Sequence, residues 1–135
     1  MRSILVGYDG SEESKRALEF VLDVVERNDV TVHLTFVVQK PPRIDPVPEE
    51  AMDTLTLAGQ NALSNASKMV RNCLATPVTH LETGNPGEKL LEVADKLKPD
   101  LIVVGTTKHS ASEKLLGTVS SYFLKSRKYP LLIVP

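Results

Sequence analysis

Between Leu101 and Ser121 the chain reads LIVVGTTKHSASEKLLGTVSS. Gly105 is followed by hydroxyls at Thr106, Thr107, Ser110 and Ser112 and by basic groups at Lys108, His109 and Lys114, with no acid before Glu113. Gly117 and Thr118 then let the backbone approach a ligand closely at a possible helix start. Hydroxyls, backbone donors and positive charge are the ingredients of phosphate recognition. The same residues also make an ordinary turn. Ser110-Ala111-Ser112-Glu113 fits a capping box, and Gly117 can sit inside a helix at a cost of about 1 kcal/mol.

A second candidate is YDGSEES, Tyr8 to Ser14. Asp9 can accept hydrogen bonds from a ribose, or either Asp9 or Ser11 simply caps the helix. Glu12 and Glu13 already occupy the positive end of the following helix, so phosphate is disfavoured there. Other chemistry is thinly represented. Neither the G-x-x-x-x-G-K-[ST] loop nor a G-x-G-x-x-G after the first strand occurs. His33, His80 and His109 fall on separate elements without metal-ligand spacing, and His33 reads as a structural strand histidine. No G-x-S-x-G elbow or Cys–His arrangement is present. The pattern argues against a self-sufficient enzyme.

The elements that position these residues alternate along the chain. SILVGY, VTVHLTFVV, TPVTHLE, DLIVVG and YPLLIVP read as strands. Between them, helical periodicity runs from Ser11 to about Asn28, from about Pro48 to Asn72, through Leu90, Leu91, Ala94 and Leu97, and from about Ser112 to Arg127. In the second helix Met52, Leu55, Ala58, Ala62, Ala66, Met69 and Cys73 form the expected buried face. QKPPRIDPVPEE, with four prolines, is a loop. Strands separated by helices imply an α/β fold, a parallel sheet covered on both faces, in one domain spanning residues 1–135. Ligands of such sheets sit beyond the carboxyl ends of the strands, where strand order reverses. The loops after the first and fourth strands are therefore the ones to examine.

Composition narrows the partners. Net charge is −1 and only 4% of residues are aromatic, so neither nucleic acid nor an anionic membrane is an expected partner. No apolar run is long enough for a membrane span or a signal peptide, and a cytoplasmic location is expected. Cys73, the single cysteine, reads as a core residue. The last strand stops at Pro135 with no tail to cover its rim, so pairing with a second copy through Leu131–Val134 is expected.

ILVGYDGSEESKRALEFV, GNPGEKLLEVADKLKPDLIVVG and LLGTVSSYFLKSRKYPLLIVP, in that order, resemble the universal stress protein family over essentially the whole chain. The resemblance implies a three-layer, open five-stranded parallel sheet of order 3-2-1-4-5, the Rossmann-like fold of adenine-nucleotide alpha-hydrolases. It also implies a homodimeric, non-enzymatic stress-response protein with a protein partner of unknown identity. Some members bind ATP or AMP, with Mg when ATP is bound, and carry G-x2-G-x9-G-[ST] after the fourth strand. Here Gly105 matches the first glycine and Gly117-Thr118 the closing pair, Lys108 replaces the second glycine, and the segment is one residue short. By the same resemblance Asp9 meets the adenosine and the Val37 backbone reads the adenine edge. Gly105, Thr106, Lys108, Gly117, Thr118, Val119 and Ser120 would surround the phosphates. Lys108 either supplies charge to a phosphate or fills the pocket, which leaves a decayed, non-binding site as the alternative. The related hydrolases carry a glycine-rich S-G-G-x-[DS]-S loop after the first strand, where this chain has DGSEES.

Overall fold

The computed structural model of the protein describes residues 2–25, 29–41, 43–106 and 117–135. Strands β1 (Ser3–Gly7), β2 (Thr31–Val38), β3 (Thr76–Thr83), β4 (Leu101–Gly105) and β5 (Leu131–Val134) alternate with helices α1 (Glu12–Val24), α2 (Glu49–Asn72), α3 (Pro86–Leu97) and α4 (Gly117–Ser126). All strand pairs are parallel and the order is β3-β2-β1-β4-β5, as the family resemblance implied. Strand order reverses between β1 and β4.

Two apolar layers sandwich the sheet. On one face Ile4, Val6, Val32, Leu34 and Val103 meet Ala17, Leu18 and Val21 of α1 and Leu63, Ala66 and Val70 of α2. On the other, Leu5, Ile102 and Val104 meet Leu90, Val93 and Ala94 of α3 and Phe123 of α4. Strand residues alternate between these layers because successive side chains point to opposite faces. Burying both faces explains the unbroken apolar runs of β1 and β4. Strand β5, at the sheet edge, is only half-covered throughout.

Local sequence sets the helix ends. Ser11 caps α1 and Asn85 caps α3, each accepting the N–H three residues on, and Pro86 opens α3 where its missing N–H costs nothing. Lys98 and Arg127 adopt left-handed φ values of 50° and 54° just past α3 and α4. Helix α1 ends at Val24, earlier than the expected Asn28, because Val25 is already extended. For the last helix, expected from Ser112 to Arg127, Gly117–Ser126 is helical and residues 112–116 lie outside the described set.

The expected face of α2 is borne out at Ala66, which is buried, and at Ala62 and Met69, which pack against the core, but the buried side is turned further toward Gly59. Gly59, Leu63, Ala66, Ser67 and Val70 are buried, whereas Ala58 is exposed and Cys73 half-buried. A Cβ on Gly59 would stand 2.8 Å from the Phe36 ring and 3.0 Å from Leu81 Cδ1, so the glycine turns that side of the helix onto the sheet. None of the buried α2 residues lies before Gly59. A helix of 24 residues is roughly 36 Å long and an eight-residue strand roughly 26 Å, so the first turns of α2 overhang the carboxyl edge of the sheet.

Candidate nucleotide crevice

Strands β2, β1 and β4 are adjacent, so Val37, Asp9 and Gly105-Thr106 come together on one edge of the sheet. That edge holds the point of strand reversal where such folds receive ligands. Helix α4 returns antiparallel to the strands, which brings its first described turn, Gly117, Thr118, Val119 and Ser120, to the same edge. The Val119 side chain packs in the α3–α4 layer, leaving its backbone for any ligand contact. Lys108, Thr107, His109, Ser110, Ser112 and Lys114 lie outside the described residues.

Backbone alternation gives Val37 its place. Tyr8 N–H donates to the Thr35 carbonyl at 2.9 Å, so odd-numbered residues of β2 turn their polar backbone toward β1. Gly84 N–H donates to the Val38 carbonyl at 2.9 Å, so even-numbered ones turn toward β3. Val37 therefore presents one N–H and one C=O on the β1 side, one step beyond that last β1–β2 bond. A donor and an acceptor side by side at a strand end match the edge of a purine.

Asp9 sits in a tight turn. Its Oδ1 accepts the Ser11 N–H at 2.9 Å, and Gly10 between them has φ +79°. Ser11, not Asp9, is the cap of α1. Asp9 is exposed, and among the described residues its Oδ2 has no hydrogen-bond partner, so a ligand hydroxyl can donate there. The corner is electronegative. Burial first, then the carboxylates of Asp9, Glu12 and Glu19, hold the Tyr8 phenol above its ordinary pKa. Glu13 is also buried at this helix start, at 7% exposure. An anion is therefore disfavoured at the α1 start.

The glycine at 105 has a packing reason. A Cβ there would lie 2.6 Å from both C and O of Glu13, so β4 ends directly against the first turn of α1. Thr106 donates its N–H to the Val134 carbonyl at 3.0 Å, extending the β4–β5 pairing. That donor is spent on the sheet and cannot hold a phosphate.

Two histidines on separate strands meet elsewhere on the sheet. His33 Nδ1 and His80 Nε2 are 3.0 Å apart, and their ring centroids 5.2 Å apart. Burial lowers the pKa of both; the neighbouring His80 lowers His33 further, while Glu82 pulls His80 back up. The pair is formed by the β2–β3 register, which sets Thr35 opposite His80. No local sequence signal announces it.

A sequence model of the universal stress protein family matches residues 1–135. Universal stress protein MJ0531 of Methanocaldococcus jannaschii is 31% identical over 139 residues, covering 98% of this chain and 81% of that protein. Among solved structures, hypothetical protein MJ0577 superposes with a TM-score of 0.88 at 25% identity, covering 98% of this chain and 94% of that one. A universal stress protein in complex with cAMP gives a TM-score of 0.71 at 25% identity, with 98% and 95% covered. A family protein from Arabidopsis thaliana with AMP bound gives 0.76 at 21% identity, with 99% and 91% covered.

Proposed function

The chain belongs to the universal stress protein family, and from that premise we propose that it is a non-catalytic, dimeric stress-response protein that binds an adenine nucleotide in the β1–β2–β4 crevice. The observation that carries this reading is the paired N–H and C=O of Val37, turned into the crevice beside Asp9. In it the adenine edge pairs with the Val37 backbone, the ribose hydroxyls donate to Asp9 Oδ2, and the phosphates lie toward Gly117–Ser120 and Lys108. AMP and cAMP in like-folded relatives support the class of ligand. With the Thr106 N–H spent and Gly105 packed on Glu13, a monophosphate is held better than ATP with Mg.

The β5 edge supports the dimer. Ile102 N–H donates to the Pro130 carbonyl and Thr106 N–H to that of Val134, so Leu131 and Ile133 turn their own backbone groups outward. A second β5 running antiparallel can exchange all four of those groups with Leu131 and Ile133. Arg16 Nε donates to the Pro135 carbonyl at 3.1 Å, and Phe20 and Val24 continue that row of α1 alongside β5, 43% and 58% exposed. They supply apolar surface for the same contact.

The test is to denature the purified protein, identify released small molecules by mass, and follow the melting temperature with AMP, cAMP, ATP and GMP. Adenine nucleotide in near-equal amount to protein, or a melting temperature raised by AMP and not by GMP, is the expected outcome. An empty protein indifferent to millimolar adenine nucleotide defeats the reading. A second reading, an interaction protein without a ligand, is favoured by the packing role of Gly105 and would then stand.

A further inference from the structure

We propose that His33 and His80 form a binding site for a divalent transition-metal ion of borderline softness, such as nickel, copper or zinc, with water completing its coordination shell. The site lies on the α3 face of the sheet, with His80 opposite Thr35 and two residues below the level of Val37, and the proposal does not rest on nucleotide binding. His33 stands opposite Leu5 in the β1–β2 register and so shares the α3 layer. Helix α3 sets Leu90 over Gly7, nearer the sheet centre, and leaves the outer β2–β3 strip half-covered. Both imidazoles are thus open to small solutes while held by the sheet.

The spacing of the two nitrogens fits a common ion. Two ligands bound at about 2.0–2.1 Å and at right angles to each other stand about 2.9 Å apart, and tetrahedral ones about 3.4 Å. His33 Nδ1 and His80 Nε2 are 3.0 Å apart. As the rings stand, one facing nitrogen carries the proton donated to the other. Coordination requires that ring to move its proton to its far nitrogen, after which both facing lone pairs are free. Two neutral imidazoles remain two neutral imidazoles, so no proton need be lost.

The surroundings suit a cation. Glu82 follows His80 by two residues, on the same sheet face, and its negative charge already acts on His80. Thr35 shares that face, two residues from His33 and opposite His80. Its hydroxyl is buried, at 1% residue exposure, and has no hydrogen-bond partner. That stranded oxygen is closed to water as the side chains stand, and only a turn of the imidazoles onto the ion would give it a solvent partner. No group of three or more His, Cys, Asp or Glu among the described residues can hold a metal, so the shell must be finished by solvent and the ion must exchange readily. Imidazole pairs favour copper over nickel and zinc by the general affinity order.

The experiment is a calorimetric titration of untagged full-length protein with Ni²⁺ and Zn²⁺ at pH 7.5, alongside His33→Gln, His80→Gln and His109→Gln. One ion per chain is expected, with affinity reduced at least tenfold by either of the first two changes and unaltered by the third. Wild type binding no better than the two variants would overturn the site. Should a variant fail to fold, the Cu²⁺ form of the wild-type protein decides the matter by paramagnetic resonance. Hyperfine coupling to two imidazole nitrogens supports the site, and coupling to one or none removes it.

Discussion

Replacing Gly105 with alanine separates a glycine kept for packing from one kept for a ligand. The added methyl would sit 2.6 Å from Glu13 C and O, 0.8 Å inside the 3.4 Å where ordinary contact begins, and 3.0 Å from Glu13 Cβ. Two of those atoms are backbone within α1, so no rotamer change relieves the overlap. Either α1 lifts from β4 or β4 loosens from β5. Overpacking of that kind costs about 1–3 kcal/mol, and the rigid neighbour places this site at the upper end. The melting temperature should fall by roughly 6–15 °C. Urea unfolding of nucleotide-free protein should show a lower midpoint with an unchanged slope. Gly10→Ala is the contrast. Its methyl would have only Ala62 Cβ, at 3.6 Å, nearby, so its cost comes from φ +79° alone, about 1–2 kcal/mol. A Gly105→Ala protein with a wild-type midpoint, whatever its ligand binding, would refute the packing argument.

Ser11→Ala removes the oxygen that accepts the Ser14 N–H at 3.2 Å and should lower stability by about 1 kcal/mol in urea titrations, while Ser11→Asp restores most of it. Asp100 accepts the N–H groups of Arg2 and Ser3, which hold its carboxyl below the ordinary range. Its contribution is complete above about pH 4 and disappears as pH falls through the lower folded value. The wild type should therefore lose stability in acid more steeply than Asp100→Asn, the two curves converging at the lowest pH. Ile133→Pro deletes an outward N–H that the monomer's own sheet does not use. Sedimentation should show the wild type as a dimer and this variant as a folded monomer, and a dimeric variant would move the interface off β5.

Much of this architecture is legible because each signal is local. Apolar runs bounded by Gly, Asn and Pro mark the strands, and Ser11 and Asn85 mark helix starts. The sheet order came from the resemblance, since nothing in composition or periodicity distinguishes it from other α/β orders. What stayed hidden depends on packing across the sequence. His33 and His80 are 47 residues apart and meet only through strand register. Gly105 looks like a ligand glycine until the first turn of α1 is found against it. Apolar spacing found Ala62, Ala66 and Met69 but not the whole sheet-facing side of α2, because Gly59 works through having no side chain. Lys108, on which the phosphate question turned, lies outside the described residues.

The overhang of α2 implies a gradient of protection along one continuous helix. Its later turns, Leu63 to Val70, are clamped to the sheet, so their amides should exchange with deuterium only when the whole domain opens. No residue from Ala51 to Ala58 is buried, so these turns are held less by packing than by their own hydrogen bonds, which short helices sustain poorly in water. Their amides should exchange by fraying, orders of magnitude sooner. The protein thus keeps a weakly held stretch of helix beside its candidate binding crevice, where a ligand or partner that ordered those turns would register as a local slowing of exchange.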